Sequence, residues 1–391
     1  MALSNHPVLV VLAVAAIAPL LAQIRGIGRM PVVVLEVLLG IAVGPHGLGL
    51  IQFDAFLSTM LAVGTVTVLF MAGMEIDFER IRGRPLYLAL GGWSLSIAIA
   101  FLMISLLNVI PGAQAPMMVA IALTTTGLGT LLPILRDGGQ MDTRYGRMLL
   151  AAGTVGEVGT IVAVSLALSH RYSSWQEFGF LMVFLALVAL VAAVGIGARP
   201  PKLLAILGRT MHSSTQLPVR LALLKLAALV VVAETFGFEA VLGAFAAGMV
   251  VGLATRTEDA EIFRVKIDAI CFGWFAPFFF VGTGVAFDLD ALMKSSAALL
   301  LVPTFLLMFL AVRGLPAFLY RRALDTRQRL SVALASSVAS LGLIVVLTHI
   351  GLRSQTMSSD IAQGLIGAAL LSSLIFPNIR PHASSSRRRR K

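Results

Sequence analysis

Apolar runs of about 20 residues, set apart by short polar breaks, occupy almost all of this chain, and they constrain its fold more than any other feature. A bilayer core offers the backbone no water, so such a run crosses it as a helix whose N–H and C=O groups satisfy one another. Read in order, the runs give about 13 spans, near residues 7–24, 31–50, 56–76, 86–110, 116–135, 146–168, 177–197, 216–234, 237–254, 268–287, 297–320, 328–350 and 358–377. Composition agrees: 58% of residues are hydrophobic and 13% charged, with a mean hydropathy of +0.94. Such a balance excludes a soluble globular domain. The expected fold class is an all-α polytopic membrane protein.

The basic residues alternate with the spans. Connections after odd-numbered spans hold Arg25/Arg29, Arg80/Arg82/Arg84, Arg136/Arg144/Arg147, Arg199/Lys202/Arg209, Arg256/Arg264/Lys266, Arg321/Arg322/Arg327/Arg329 and the C-terminal tail. Those after even spans hold only Arg171, Lys294 and Arg353. The positive-inside rule then predicts an outside N-terminus and a cytoplasmic C-terminus. The net charge of +11 belongs to this cytoplasmic rim and not to a nucleic-acid surface. The tail Arg387–Lys391 reads either as a contact for anionic lipid headgroups or as a disordered stop-transfer flank. Residues 1–6 carry no Lys or Arg, so the first run reads as a retained span. The single cysteine, Cys271, excludes an intramolecular disulfide.

Glu157 breaks the pattern, because it is an ionisable side chain inside the apolar run 148–168. A carboxylate at that depth costs several kcal/mol and is usually kept for ion or proton handling. Arg313, inside the run 299–319, is the second anomaly. Two readings are open for it: a buried ion pair with Glu157, or snorkelling to the interface near Arg321, about 10 Å away.

Internal repetition supports transport. Gly40-x-x-x-Gly44 in the second span corresponds to Gly248-x-x-x-Gly252 in the ninth. Gly73 precedes Asp77 as Gly284 precedes Asp288, and Thr124-Thr-Thr-Gly-Leu-Gly129 is echoed by Ser336-Ser-Val-Ala-Ser-Leu-Gly342. All three offsets are about 210 residues, or about seven spans, and an odd number of spans reverses orientation. The pattern predicts an inverted-topology repeat with discontinuous helices in the fifth and twelfth spans. Their hydroxyls and glycines (Thr124, Thr125, Thr126, Gly127, Gly129, Ser336, Ser337 and Ser340), with Pro133 closing the fifth span, would line the breaks and offer oxygens to a cation. The competing reading is ordinary back-bonding of Ser and Thr within intact helices.

Other embedded acids are weaker candidates. Glu36 in the second span fits an accessory proton site as well as a helix kink, and Glu75 is an accessory candidate that also suits an interfacial ion pair beside Arg80 and Arg82. The histidines lack metal-ligand spacing, and no phosphate loop, His-Glu-x-x-His or G-x-S-x-G motif occurs. No enzyme chemistry and no cofactor are expected.

Four stretches resemble the monovalent cation:proton antiporter-2 family, which includes Kef-type potassium efflux and NapA-type sodium antiporters. These are Arg29-Met-Pro31 through Gly40-Ile-Ala-Val-Gly-Pro45, Leu69-Phe-Met-Ala-Gly-Met-Glu75, Ala233-Glu-Thr-Phe-Gly-Phe-Glu-Ala-Val-Leu-Gly-Ala-Phe-Ala-Ala-Gly248 and Pro277-Phe-Phe-Phe-Val-Gly-Thr-Gly284. The resemblance implies an NhaA-like antiporter fold with two crossing discontinuous helices. It implies spans 1–3 (1–76) and 8–10 (216–287) as a dimerisation domain, and spans 4–6 (86–168) and 11–13 (297–377) as a mobile ion-binding core. Residues 177–197 would link them, and 378–391 would form the basic tail. It puts Glu157 at the essential acid, Arg313 at the core cation, and Thr125 and Thr126 on the crossing segment. Gly156 departs from the family, which commonly has Asp, Asn or Gln beside the essential acid, and Glu replaces Asp at position 157 itself. The implied function is exchange of Na⁺ or K⁺ for H⁺ by an elevator motion; because Gly156 leaves Glu157 as the single acid at the site, that exchange is expected to be one-for-one and electroneutral, the alternative being a second proton on Glu36 or Glu75. The setting would be a homodimer in the inner membrane of a prokaryote, with lipids as its other partners. A sodium-coupled symporter on the same fold, or a non-transporting sensor or scaffold, are the alternatives.

Overall fold

The computed structural model describes residues 6–24, 30–107, 115–128, 131, 135, 139–168, 174–197, 210, 213–255 and 260–376. Helices run α1 Pro7–Leu21, α2 Val32–Val43, α3 Ala55–Met74, α4 Phe78–Ile81, α5 Arg84–Leu107, α6 Ala115–Leu123, α7 Arg144–Leu168 and α8 Ser174–Gly197. They continue as α9 Leu217–Thr235, α10 Ala240–Ala254, α11 Ala260–Ile270, α12 Ala276–Ala286, α13 Leu289–Lys294, α14 Ser296–Gly314, α15 Thr326–Ser336, α16 Leu341–Arg353 and α17 Ser359–Ile375. A π turn, Cys271–Phe275, joins α11 to α12, and a 3-10 stretch, Leu315–Arg322, follows α14. No strand occurs among the described residues. A helix lies in each of the expected spans. Among the described residues, six stretches are long and apolar enough to cross a membrane, and shorter apolar helices accompany them.

Local chemistry sets the boundaries. Asp54 caps α3 by accepting from Leu57 N at 2.7 Å. Asp325 and Gln328 form a reciprocal capping box at the start of α15. Pro31 precedes α2, where its fixed φ suits a helix start and its missing N–H goes unused. Large apolar side chains such as Leu9, Leu20, Leu102, Leu190, Leu300 and Leu307 are exposed, the reverse of a water-facing surface.

The described residues fall into two compact units. One comprises residues 1–78, 158–294 and 345–347, and the other residues 79–157, 295–344 and 348–391. In the first, α2 packs on α12 and α3 on α10. Glycines let the backbones approach: a Cβ on Gly40 would sit 2.4 Å from the Val281 carbonyl oxygen and 3.1 Å from Gly284 Cα, and one on Gly73 would meet the Phe245 oxygen at 2.2 Å and Gly248 Cα at 3.1 Å. The second span thus meets the tenth as the ninth meets the third. Such reciprocal pairing is what an inverted repeat of these glycines requires. Val10, Val14, Ile51, Leu57, Phe278, Val281 and Val285 fill a core beside it.

In the second unit α14 packs against α5, α15 and α17. Met148, Ala317, Tyr320, Ala323, Leu324 and Val332 form an apolar cluster there.

A Cβ on Gly248 would lie 1.9 Å from the Phe70 carbonyl oxygen, whereas one on Gly179 would meet nothing within 4 Å. Gly248→Ala should therefore destabilise the protein by about 1–3 kcal/mol through overpacking, while Gly179→Ala should be neutral or slightly stabilising. Melting curves of the two variants in one detergent make the comparison.

Candidate functional site

Two helices of the second unit stop in mid-span. α6 ends at Leu123, where the Thr124 hydroxyl donates back to the Ile121 carbonyl at 2.7 Å and residues 125–127 leave helical geometry. Three consecutive β-branched residues followed by glycine give the helix little reason to continue. α15 ends at Ser336, Ser337 Oγ donates to the Ala333 carbonyl at 2.7 Å, and helix resumes only at Leu341.

The broken stretches cross and satisfy each other. Gly127 N donates to the Val338 carbonyl at 2.8 Å, and Thr126 Oγ1 donates to the Ser336 carbonyl at 2.8 Å. A Cβ on Gly127 would stand 2.9 Å from the Ala339 oxygen, so only glycine permits this approach. Ala339 N is taken up by Ser372 Oγ of α17 at 3.1 Å. These bonds replace the ones lost to the interruption, as unwound backbone at membrane depth requires.

Glu157 reaches the crossing from α7 and is 3% exposed. Its Oε1 accepts from Leu128 N at 3.2 Å and from Ser340 Oγ at 3.3 Å. Ser340 is the N-cap of α16. The carboxylate therefore meets an N–H of one broken stretch and the positive end of the helix that follows the other. Thr125 Oγ1 is buried and has no hydrogen-bond partner among the described residues.

Arg313, 5% exposed in the last turn of α14, neither snorkels nor pairs directly with Glu157. Its Nε donates to Thr126 Oγ1 at 2.8 Å, Nη1 to Ser96 Oγ at 3.3 Å and Nη2 to the Ala152 carbonyl at 2.9 Å. Among the described residues no carboxylate lies within ion-pair distance of it. Two hydroxyls and a carbonyl spread its charge, and the negative end of the α14 dipole adds to this. Thr126 is thereby committed twice, as donor to Ser336 and acceptor from Arg313, so it links elements of the site while the neighbouring Thr125 hydroxyl stays available.

The structure thus brings together Thr126, Gly127, Ser336, Ser340, Glu157 and Arg313. Ser337 bonds within its own chain segment, and Gly129 and Pro133 lie outside the described residues. Glu36 is buried in α2 and Glu75 caps α3, both in the first unit. Arg80 pairs with Asp142 at 3.1 Å on the surface. Ser96, the Ala152 carbonyl, Leu128 N–H and Ser372 are site members that sequence reasoning misses. No group of three or more His, Cys, Asp or Glu able to hold a metal occurs among the described residues. The oxygens on offer, one carboxylate with hydroxyls and carbonyls, suit a hard cation.

The profile of the sodium/hydrogen exchanger family, transmembrane, matches residues 11–380. The chain belongs to that family. It is therefore a multi-pass membrane protein of an antiporter family. YjbQ of Bacillus subtilis is 25% identical over 383 residues, covering 94% of this chain and 61% of YjbQ, so the chain spans about three-fifths of that relative. The Na⁺/H⁺-K⁺ antiporter GerN of Bacillus cereus is 24% identical over 353 residues, covering 89% of this chain and 88% of GerN. The structure of the sodium proton antiporter MjNhaP1 from Methanocaldococcus jannaschii at pH 8 superposes with a TM-score of 0.66 at 18% identity, covering 94% of this chain and 95% of that one. The chain therefore has the NhaA-like antiporter fold.

Thr126→Val keeps the shape but removes the acceptor for Arg313 and the donor to Ser336. It should cost about 2–3 kcal/mol, the range for losing a hydrogen bond to a buried charge, while Thr126→Ser should stay near wild type. Thermal unfolding of both variants in detergent checks the difference.

Proposed function

We propose that this exchanger swaps one monovalent cation, Na⁺ or K⁺, for one proton, and that Glu157 holds each in turn. The observation that carries this reading is the burial of Glu157 at the crossing of the two broken stretches, as the one buried acid of its unit among the described residues. A partly dehydrated cation would take the Glu157 carboxylate, the Thr125 hydroxyl and carbonyls freed by the breaks as ligands. A proton on the same carboxylate removes the charge the cation needs. Binding of either excludes the other, so a gradient of one drives the other with no covalent chemistry.

Charge balance follows. Glu157 is neutralised by either cargo while Arg313 stays charged, so the loaded site carries the same net charge in both directions and exchange is electroneutral. The family resemblance adds an elevator motion of the unit that holds Glu157, a homodimer and an inner-membrane setting. The alternation of basic residues supports an outside N-terminus. GerN, named for Na⁺, H⁺ and K⁺, supports keeping both cations in view.

Glu157→Gln should fold and show no cation-driven proton movement above that of protein-free vesicles, because the amide is close in shape but binds neither cargo. Glu157→Asp should keep part of the rate, with its reach shortened by one methylene. The assay is collapse of a pH gradient in proteoliposomes on adding Na⁺, K⁺ or Li⁺; wild-type exchange by Glu157→Gln would overturn the proposal.

A further inference from the structure

Gly156 immediately precedes Glu157 on α7, and the space that a side chain at 156 would enter is already filled. A Cβ built on Gly156 would stand 2.8 Å from Arg313 Nη2, 3.0 Å from Thr126 Oγ1 and 3.1 Å from Thr126 Cβ. The nearest of these, Nη2, is the tip of a long side chain, and moving it strains the bonds that hold it. The guanidinium is tied by all three of its nitrogens, to Thr126, Ser96 and the Ala152 carbonyl. Thr126 is tied in turn to the Ser336 carbonyl. The cavity that Arg313 lines with Trp93, Ala152, Tyr320 and Ser336 is about 10 Å³, room for about one water molecule.

We infer that Gly156 is a positioning residue: its missing side chain seats the Arg313 guanidinium against the turn of α7 that carries Glu157, and so sets how strongly a fixed positive charge opposes cation entry at that carboxylate. The transport consequence rests on the antiport reading above. With Arg313 in place, its positive charge repels an incoming cation, which weakens cation binding and speeds cation release. A side chain at 156 shifts the guanidinium, whose Nη2 stands nearest the added Cβ, and weakens its bonds to Thr126 and the Ala152 carbonyl. The carboxylate then holds the cation more tightly and lets it go more slowly.

The experiment is a double-mutant cycle of Gly156→Ala and Arg313→Ala on the full chain, read in two ways. The first reading is melting temperature in detergent. Gly156→Ala should lower it clearly in wild type and by less in the Arg313→Ala background, where only the Thr126 contacts remain. Strictly additive losses would overturn the inference. Should Gly156→Ala alone give no folded protein, the double variant should recover folded yield, and failure to recover it would overturn the inference. Arg313→Lys, which lacks the Nη2 branch, replaces Arg313→Ala in the cycle if the latter does not fold. The second reading is transport in proteoliposomes. Gly156→Ala should lower the cation KM several-fold together with the maximal rate, as Arg313→Ala does, and the double variant should match Arg313→Ala. A lower maximal rate with unchanged KM would mark a merely structural role and overturn the inference. The melting cycle involves no transport, so its outcome stands apart from that of Glu157→Gln.

Discussion

Two opposite charges are buried in one helical unit, and the arrangement of that unit answers their cost. An isolated carboxylate or guanidinium at membrane depth is expensive. Direct pairing would relieve both, yet it would also occupy the carboxylate that an exchanger needs free. The structure takes a third course. Thr126, Ser96 and the Ala152 carbonyl hold Arg313, while Leu128 N–H and Ser340 hold Glu157. Neither charge uses up the other.

The interruptions of the two helices serve that separation. An unbroken α6 would bond Leu128 N within its own helix, and an unbroken α15 would not present Ser340 as the cap of a new helix. Unwinding turns the Leu128 N–H, shared with the Thr126 carbonyl at 3.1 Å, and the Ser340 hydroxyl toward Glu157, and the crossing bonds between Gly127 and Val338 and between Thr126 and Ser336 compensate other backbone groups. The same Thr126 that closes the crossing also anchors the guanidinium. Helix geometry and electrostatics therefore change together.

Much of this is legible in the sequence, for physical reasons. Glu157 and Arg313 stand out because ionisable residues are rare in apolar runs. The broken segments stand out because hydroxyl and glycine clusters recur at a fixed offset, and the glycine pairs Gly40–Gly284 and Gly73–Gly248 make physical sense of that offset in the first unit. The partners of Arg313 are not legible. Ser96 looks like any helical serine bonding back to its own backbone, as it also does to the Gly92 carbonyl at 3.0 Å, and a carbonyl such as that of Ala152 has no side-chain signature. Gly156 shows the limit most sharply. Read as a letter it is a missing acid, and in three dimensions it is the space that a guanidinium fills.

In the proposed cycle one ionisable group, Glu157, handles both cargoes, with the positive charge of Arg313 beside it. The direct measurement is exchange rate in proteoliposomes whose membrane potential is clamped at a series of values by an ionophore. A rate that stays flat across inside-negative and inside-positive potentials is the predicted result. A rate that climbs steeply with potential of either sign would contradict it, because net charge would then cross with each cycle and a second titrating group would have to exist.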